Sequence, residues 1–241
     1  MSTPFNQPRY GYGATTIDRG VVDQALRAYM LRVYNYMASG LALSAIVAVL
    51  ASQSPAFMQA IFGSGLGIVV MLAPIGLLLV MSFGANKMSA GAVQGLYWAF
   101  TATMGLSLST IFLVYTGQSI LRIFFITAGM FAAMSLYGYT TKRDLTGMGS
   151  FLFMGVIGLV IASVVNMFLH STGLQFAISA ITVLVFTGLT AFDTQRIKSE
   201  FYEGDPAEIQ TKQAVFGATS LYVNFLNIFM ALLQLFGQRN N

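Results

Sequence analysis

The sequence predicts an all-α membrane protein with seven transmembrane helices, on three observations. Of its 241 residues 56% are hydrophobic and 8% are charged, whereas a soluble domain carries roughly 25% charged residues. Apolar windows of about 20 residues, long enough to cross the hydrocarbon core, recur seven times along the chain. The seventh also carries a polar stripe on one face, so it should be enclosed by the other six.

Residues 1–27 contain Pro4, Pro8, Gly11, Gly13 and several charges, with no apolar core of the kind a secretory signal needs. They read as a flexible cytoplasmic tail ahead of a single membrane domain, residues 28–237, and a short C-terminal tail, residues 238–241. No period of repetition divides the domain. The first span is expected over residues 33–51, with Arg32 at its start extending to the headgroups. An uncharged connection, residues 52–64, leads to the second span, residues 66–83. Pro74 falls inside that span, and a proline is tolerated there when a neighbouring helix satisfies the carbonyl it frees.

The third span, residues 91–115, holds Thr101, Thr103, Ser107, Ser109 and Thr110. Small hydroxyl residues of this kind let helices approach and hydrogen-bond, so they read as packing groups. The fourth, residues 120–139, carries Ala128, Gly129, Ala132 and Ala133, two overlapping pairs of small residues at a spacing of four. Lys142-Arg143-Asp144 follows as an interfacial turn. The fifth span, residues 151–169, has Asn166 near its far end, and the sixth covers residues 174–192.

Asp193 closes the sixth apolar run. A carboxylate there is costly in lipid and usually faces protein, a partner charge or water, which makes it the first candidate for function. The plain alternative is that it marks where a helix leaves the membrane. Polar residues continue through Gln213, with Gly204-Asp205-Pro206 as the turn signal. In the seventh span, residues 214–236, Ser220, Asn224, Asn227, Ala231 and Gln234 recur at spacings of four, three, four and three, on one side of one helix.

With so few charges, the net +4 does not describe a nucleic-acid footprint, and its information lies in which connections are basic. For seven crossings, the N-terminal side collects Arg9, Arg19, Arg27, Arg32, Lys87, Lys142, Arg143, Arg196, Lys198 and Lys212. The opposite side has only Arg122 and Arg239. This asymmetry puts the N-terminus in the cytoplasm and the C-terminus outside, and Asp193 then opens toward the cytoplasm.

The absence of cysteine excludes disulfides and thiolate chemistry, and a single histidine, His170, excludes a site of several imidazoles. No His-Glu-x-x-His metal motif occurs, and an intramembrane aspartyl protease needs two facing aspartates. Asp144 and Asp205 lie in connections, so Asp193 has no such partner. The chain is therefore not expected to be an enzyme.

Three stretches carry a family resemblance. Met134-Ser-Leu-Tyr-Gly-Tyr-Thr-Thr-Lys-Arg-Asp-Leu145, Gly188-Leu-Thr-Ala-Phe-Asp-Thr-Gln195 and Leu221-Tyr-Val-Asn-Phe-Leu-Asn-Ile-Phe229 resemble, in this order, the bacterial branch of the Bax inhibitor-1 (transmembrane Bax inhibitor motif) family. The resemblance implies seven helices with the last wrapped by the first six. It also implies a pH-sensitive calcium leak in which an aspartate ending helix six and another in helix seven share a proton. Asp193 matches the first; the second position is Asn224, an amide, so half of that paired-acid system is missing here. A basic residue after helix two closes the pathway in some members, and Lys87 stands at the matching place.

These readings combine into one expectation, a calcium or other cation pathway along helix seven. Asp193 is its anionic element and metal ligand, Lys87 its pairing or latching partner, and Asn224 a neutral hydrogen-bonding and coordinating group, with Asn227 and Ser220 beside it on the polar stripe. One carboxylate implies weak Ca2+ binding and no resident cofactor. Burial and Lys87 would act on the Asp193 proton in opposite senses. A symmetric hairpin would leave Asp193 about 9 Å short of Asn224 at 1.5 Å per residue, unless residues 207–212 are partly unwound. The competing class is a non-conducting adaptor that binds membrane quality-control or translocation proteins.

Overall fold

The computed structural model describes residues 19–85 and 87–240. Its helices are α1 (Arg19–Ser52), α2 (Pro55–Phe62), α3 (Leu66–Gly84), α4 (Ala90–Leu108), α5 (Ile111–Val114), α6 (Gly117–Thr140), α7 (Thr146–Leu169), α8 (Thr172–Glu200) and α9 (Ala207–Phe236). Among the described residues, seven segments are long and apolar enough to cross a membrane: α1, α3, α4 with α5, α6, α7, α8 and α9.

Local chemistry sets the boundaries. Ser54, Ser89, Thr116 and Ser171 each accept a backbone N–H from the first turn of the helix that follows, which satisfies one of the donors a helix start leaves free. Pro55 at the first position of α2 needs no such partner. His170 ends α7 in the left-handed region, φ 50°, so the lone histidine serves as a helix stop.

Several boundaries differ from expectation. α1 begins at Arg19, so residues 19–27 of the expected tail are helix, while residues 1–18 lie outside the described residues. The 52–64 connection contains α2. The third span breaks at Ser109 and Thr110. α8 runs past Asp193 to Glu200, and α9 is helical from Ala207, with no unwinding over residues 207–212.

α9 is the enclosed helix. Of its apolar window 72% is buried, against 17% in α3 and in α7. Its main neighbours are α1, α4, α6 and α8, while α3 packs on α4 and α7 on α8 to complete the ring from outside. In lipid the solvent is as apolar as leucine, so close packing and polar contacts hold such helices together. Both occur here. Gly105 lies so near the Ser44 backbone that an added Cβ would sit 2.5 Å from its carbonyl oxygen, and one at Gly138 would overlap the Ala191 carbonyl. Ser44 Oγ donates to Thr101 O at 2.6 Å and, having one proton, accepts from the Tyr222 hydroxyl at 2.6 Å, joining α1, α4 and α9.

Pro74 illustrates the same economy. The ring removes the N–H that would bond Val70 O, and Ser107 of α4 donates to that carbonyl at 2.8 Å. One of the hydroxyls of the third span thus serves as a helix-packing group. The C-terminal residues are also engaged: Arg239 bridges to Tyr115, Thr116 N donates to Gln238 O and Asn240 N to Val114 O, both at 2.9 Å.

Candidate functional site

Asp193 sits within α8, its side chain 6% exposed, facing α9. Asn224 Nδ2 donates to Asp193 Oδ2 at 2.7 Å, bringing the acid and the amide of the polar stripe into direct contact. The two helices run antiparallel, and their offset explains how the residues meet. Asp193 is seven residues from the end of α8, and Asn224 seventeen from the start of α9. The difference is about 15 Å at 1.5 Å per residue, within reach of the extended connection of residues 201–206 at about 3.3 Å each. Gln210 and Gln213 pin that connection by donating to Asp205 at 3.0 and 3.2 Å.

Arg196, one turn along α8, places Nη2 at 2.9 Å from Asp193 Oδ1 and donates to Ser220 Oγ at 3.2 Å. The ion contact is not an aligned hydrogen bond: Oδ1 and Arg196 Nε are both buried without one. Lys87, expected opposite Asp193, is instead exposed in the α3–α4 connection, and among the described residues no carboxylate lies within 4.0 Å of it. The contact expected of Lys87 is made by Arg196. The i, i+3 spacing that puts Arg196 on the same helix face as Asp193 is visible in the sequence, but a residue counted with the cytoplasmic charges draws no attention as a site member.

Of the remaining stripe residues, Asn227 is half-buried and donates to Val223 O of its own helix, away from Asp193. Ala231 is buried. Gln234 Oε1 accepts from Ser179 Oγ and Gln175 Nε2, both at 2.8 Å, and Asn166 Nδ2 donates to Gln175 Oε1 at 3.1 Å. This far end of the stripe therefore staples α7, α8 and α9.

Two features beside Asp193 have no simple sequence signature. Gln195 clamps the α6–α7 turn, accepting from Leu145 N and donating to Arg143 O, each at 2.8 Å. Gln195→Ala should lower stability by about 2 kcal/mol in detergent thermal unfolding, as two hydrogen bonds go unmade. In the same turn Asp144 accepts from Thr146 Oγ1 and N, which hold its carboxyl below the usual carboxylate range. The second feature is a hydroxyl chain of fixed direction. Thr194 donates to Thr190 O at 2.8 Å, so it accepts from Ser135 at 3.0 Å, which in turn accepts from Tyr34 at 2.6 Å. The chain ends on an apolar cavity of about 620 Å³ between α1 and α6, lined by Met37, Phe131 and Tyr139 among others.

Chemically, the site is an acid–amide–arginine cluster in which Arg196 can balance the charge of an ionised Asp193. Ca2+ takes six to eight oxygens and favours several carboxylates; among the described residues no three His, Asp or Glu side chains come together. The donors at hand are Asp193, the Asn224 carbonyl and the Ser220 hydroxyl.

Fold and site together define a polytopic helical membrane protein whose last helix forms the core and hydrogen-bonds a buried acid on the helix before it. The chain belongs to the Bax inhibitor-1 family: residues 26–241 match the family model described as inhibitor of apoptosis-promoting Bax1. It is 45% identical over 227 residues to the uncharacterized protein RP147 of Rickettsia prowazekii, covering 94% of this chain and 96% of that one. It is 46% identical over 217 residues to the inner membrane protein YbhL of Escherichia coli, covering 89% and 93%. An uncharacterized Caulobacter vibrioides protein is 46% identical over 227 residues, covering 90% of each.

Proposed function

We propose that this protein is a pH-modulated calcium or other cation leak pathway of the bacterial inner membrane, with Asp193 as its cytoplasmic-side anionic gate element. The observation that carries this reading is the buried Asp193 carboxylate, hydrogen-bonded by Asn224 at 2.7 Å inside a ring of membrane helices. An acid in that position is expensive, and such residues commonly mark ion or proton paths. Ser220 and Asn224 add neutral oxygens beside it, and Asn227 lies one turn further along α9. Lys87 keeps a latching role only through the resemblance. The basic asymmetry supports a cytoplasmic N-terminus, and the E. coli relative is named as an inner membrane protein.

The test is Ca2+ influx into liposomes bearing the purified chain, at neutral and at acid pH. Asp193→Asn should lower the flux about tenfold; equal flux in both would remove Asp193 from the mechanism. Asn224→Asp supplies the second carboxyl of the family pair, so its fluxes at the two pH values should diverge more than those of the parent chain.

A second reading, the adaptor for membrane quality-control or translocation proteins, draws on the outer face of α6. Gly129, Ala132 and Ala133 are exposed there, and a Cβ at Gly129 would meet nothing within 4 Å. Such a face suits close approach by another membrane helix. A stoichiometric crosslinked partner that Ala133→Leu abolishes, with flux at background, would favour the adaptor.

A further inference from the structure

Arg196 is the only cationic side chain within 4.0 Å of Asp193 among the described residues. Its guanidinium reaches acids on either side along α8: Nη2 is 2.9 Å from Asp193 Oδ1, and Nε is 3.8 Å from Glu200 Oε1. Across the helix interface Nη2 also donates to Ser220 Oγ. The inner contact is held by charge alone, because Oδ1 and Nε have no aligned hydrogen bond, where a two-pronged arginine–carboxylate fork would satisfy both. Exposure rises outward along this row, from 6% at Asp193 to 36% at Arg196 and 52% at Glu200. Arg196 thus has an inner resting place that is imperfect and an outer one that is accessible.

We propose that Arg196 is the specificity-determining residue of the Asp193 site: its guanidinium stands where a permeating cation would be held and competes with that cation for the carboxylate. A cation gains Asp193 when Arg196 turns outward to Glu200. This rests on the cation-pathway reading of the site and adds a built-in competitor to it. Arginine stays protonated throughout the accessible pH range, so the block is permanent in charge and is lifted only by movement. Repulsion by the guanidinium grows with the charge of the incoming ion, so Arg196 should weigh against divalent ions more than against monovalent ones.

The experiment compares Ca2+ and K+ flux in liposomes for the full chain and four variants. Arg196→Gln should raise Ca2+ flux about tenfold and K+ flux less, increasing the Ca2+/K+ ratio. Arg196→Lys keeps the charge and should stay within about twofold of the parent. Glu200→Gln, an exposed change that spares packing, removes the outer acceptor and should lower Ca2+ flux about twofold. An Arg196→Gln ratio equal to that of the parent, or a Glu200→Gln flux equal to that of the parent, would overturn the competitor role. The fourth variant, Asp193→Asn, separates the two levels: if it alone lowers the flux, Arg196 is no competitor but the pathway stands. If it passes Ca2+ as the parent does, the pathway reading fails and Arg196's role with it.

Discussion

Gly138→Ala should lower the stability of the folded protein by about 3 kcal/mol, at the upper end of what one added methyl costs in a packed interior. Gly138 lies where α6 crosses α8, and a Cβ there would overlap the carbonyl oxygen, carbonyl carbon and Cα of Ala191. These are backbone atoms, so no side chain can rotate away. The two helices must part, and with them Ser135 would leave Thr194, and the segment that carries Asp193 would shift. Gly129, on the outer face of the same helix, is the control: a Cβ there meets nothing, and Gly129→Ala should be neutral or stabilising by about 0.5–1 kcal/mol from helix propensity. Thermal unfolding of the two purified variants in detergent gives the comparison, and equal effects would contradict the α6–α8 contact.

Asn224→Leu should cost about 3 kcal/mol, the upper end of the range for losing a hydrogen bond to a charged group. Asp193 Oδ2 would lose its 2.7 Å donor, and Oδ1 already lacks an aligned one. The second substitution Asp193→Leu should then restore much of the loss, since it removes the stranded carboxylate and frees Arg196 to pair with Glu200. In a double-mutant cycle the coupling should reach about 2 kcal/mol. A coupling near zero would mean that the acid and amide do not support each other, whatever their distance.

The seven apolar runs were readable because a bilayer permits few alternatives to a long helix, and the stripe on α9 was readable because polar residues at helical spacing need protein around them. The meeting of Asp193 with Asn224 was legible only through the family motifs. Helix spacing alone predicted a shortfall, since nothing in residues 201–206 declares that the connection is extended. Lys87 was expected near Asp193 by its motif position, and the structure puts it in an exposed connection, while Arg196 was one turn away on the same helix. The Gln195 clamp and the Tyr34–Ser135–Thr194 chain depend on contacts between residues 50 or more positions apart, and the Ser107 bond to Val70 O spans a separation of 37. The last was foreseen in kind, as a carbonyl needing a donor, but not in identity.

The central helix is also the C-terminal one, and this has a consequence for biosynthesis. During synthesis the chain emerges from its N-terminus, so α1, α4, α6 and α8 enter the bilayer before the rod they surround exists. The inward faces that carry Ser44 and Asp193 lack their partners on α9, Tyr222 and Asn224, until that helix has been made. Chains that stop before α9 are therefore rings without a hub. In them Asp193 Oδ2 lacks its Asn224 donor, a costly state for a carboxylate at membrane depth.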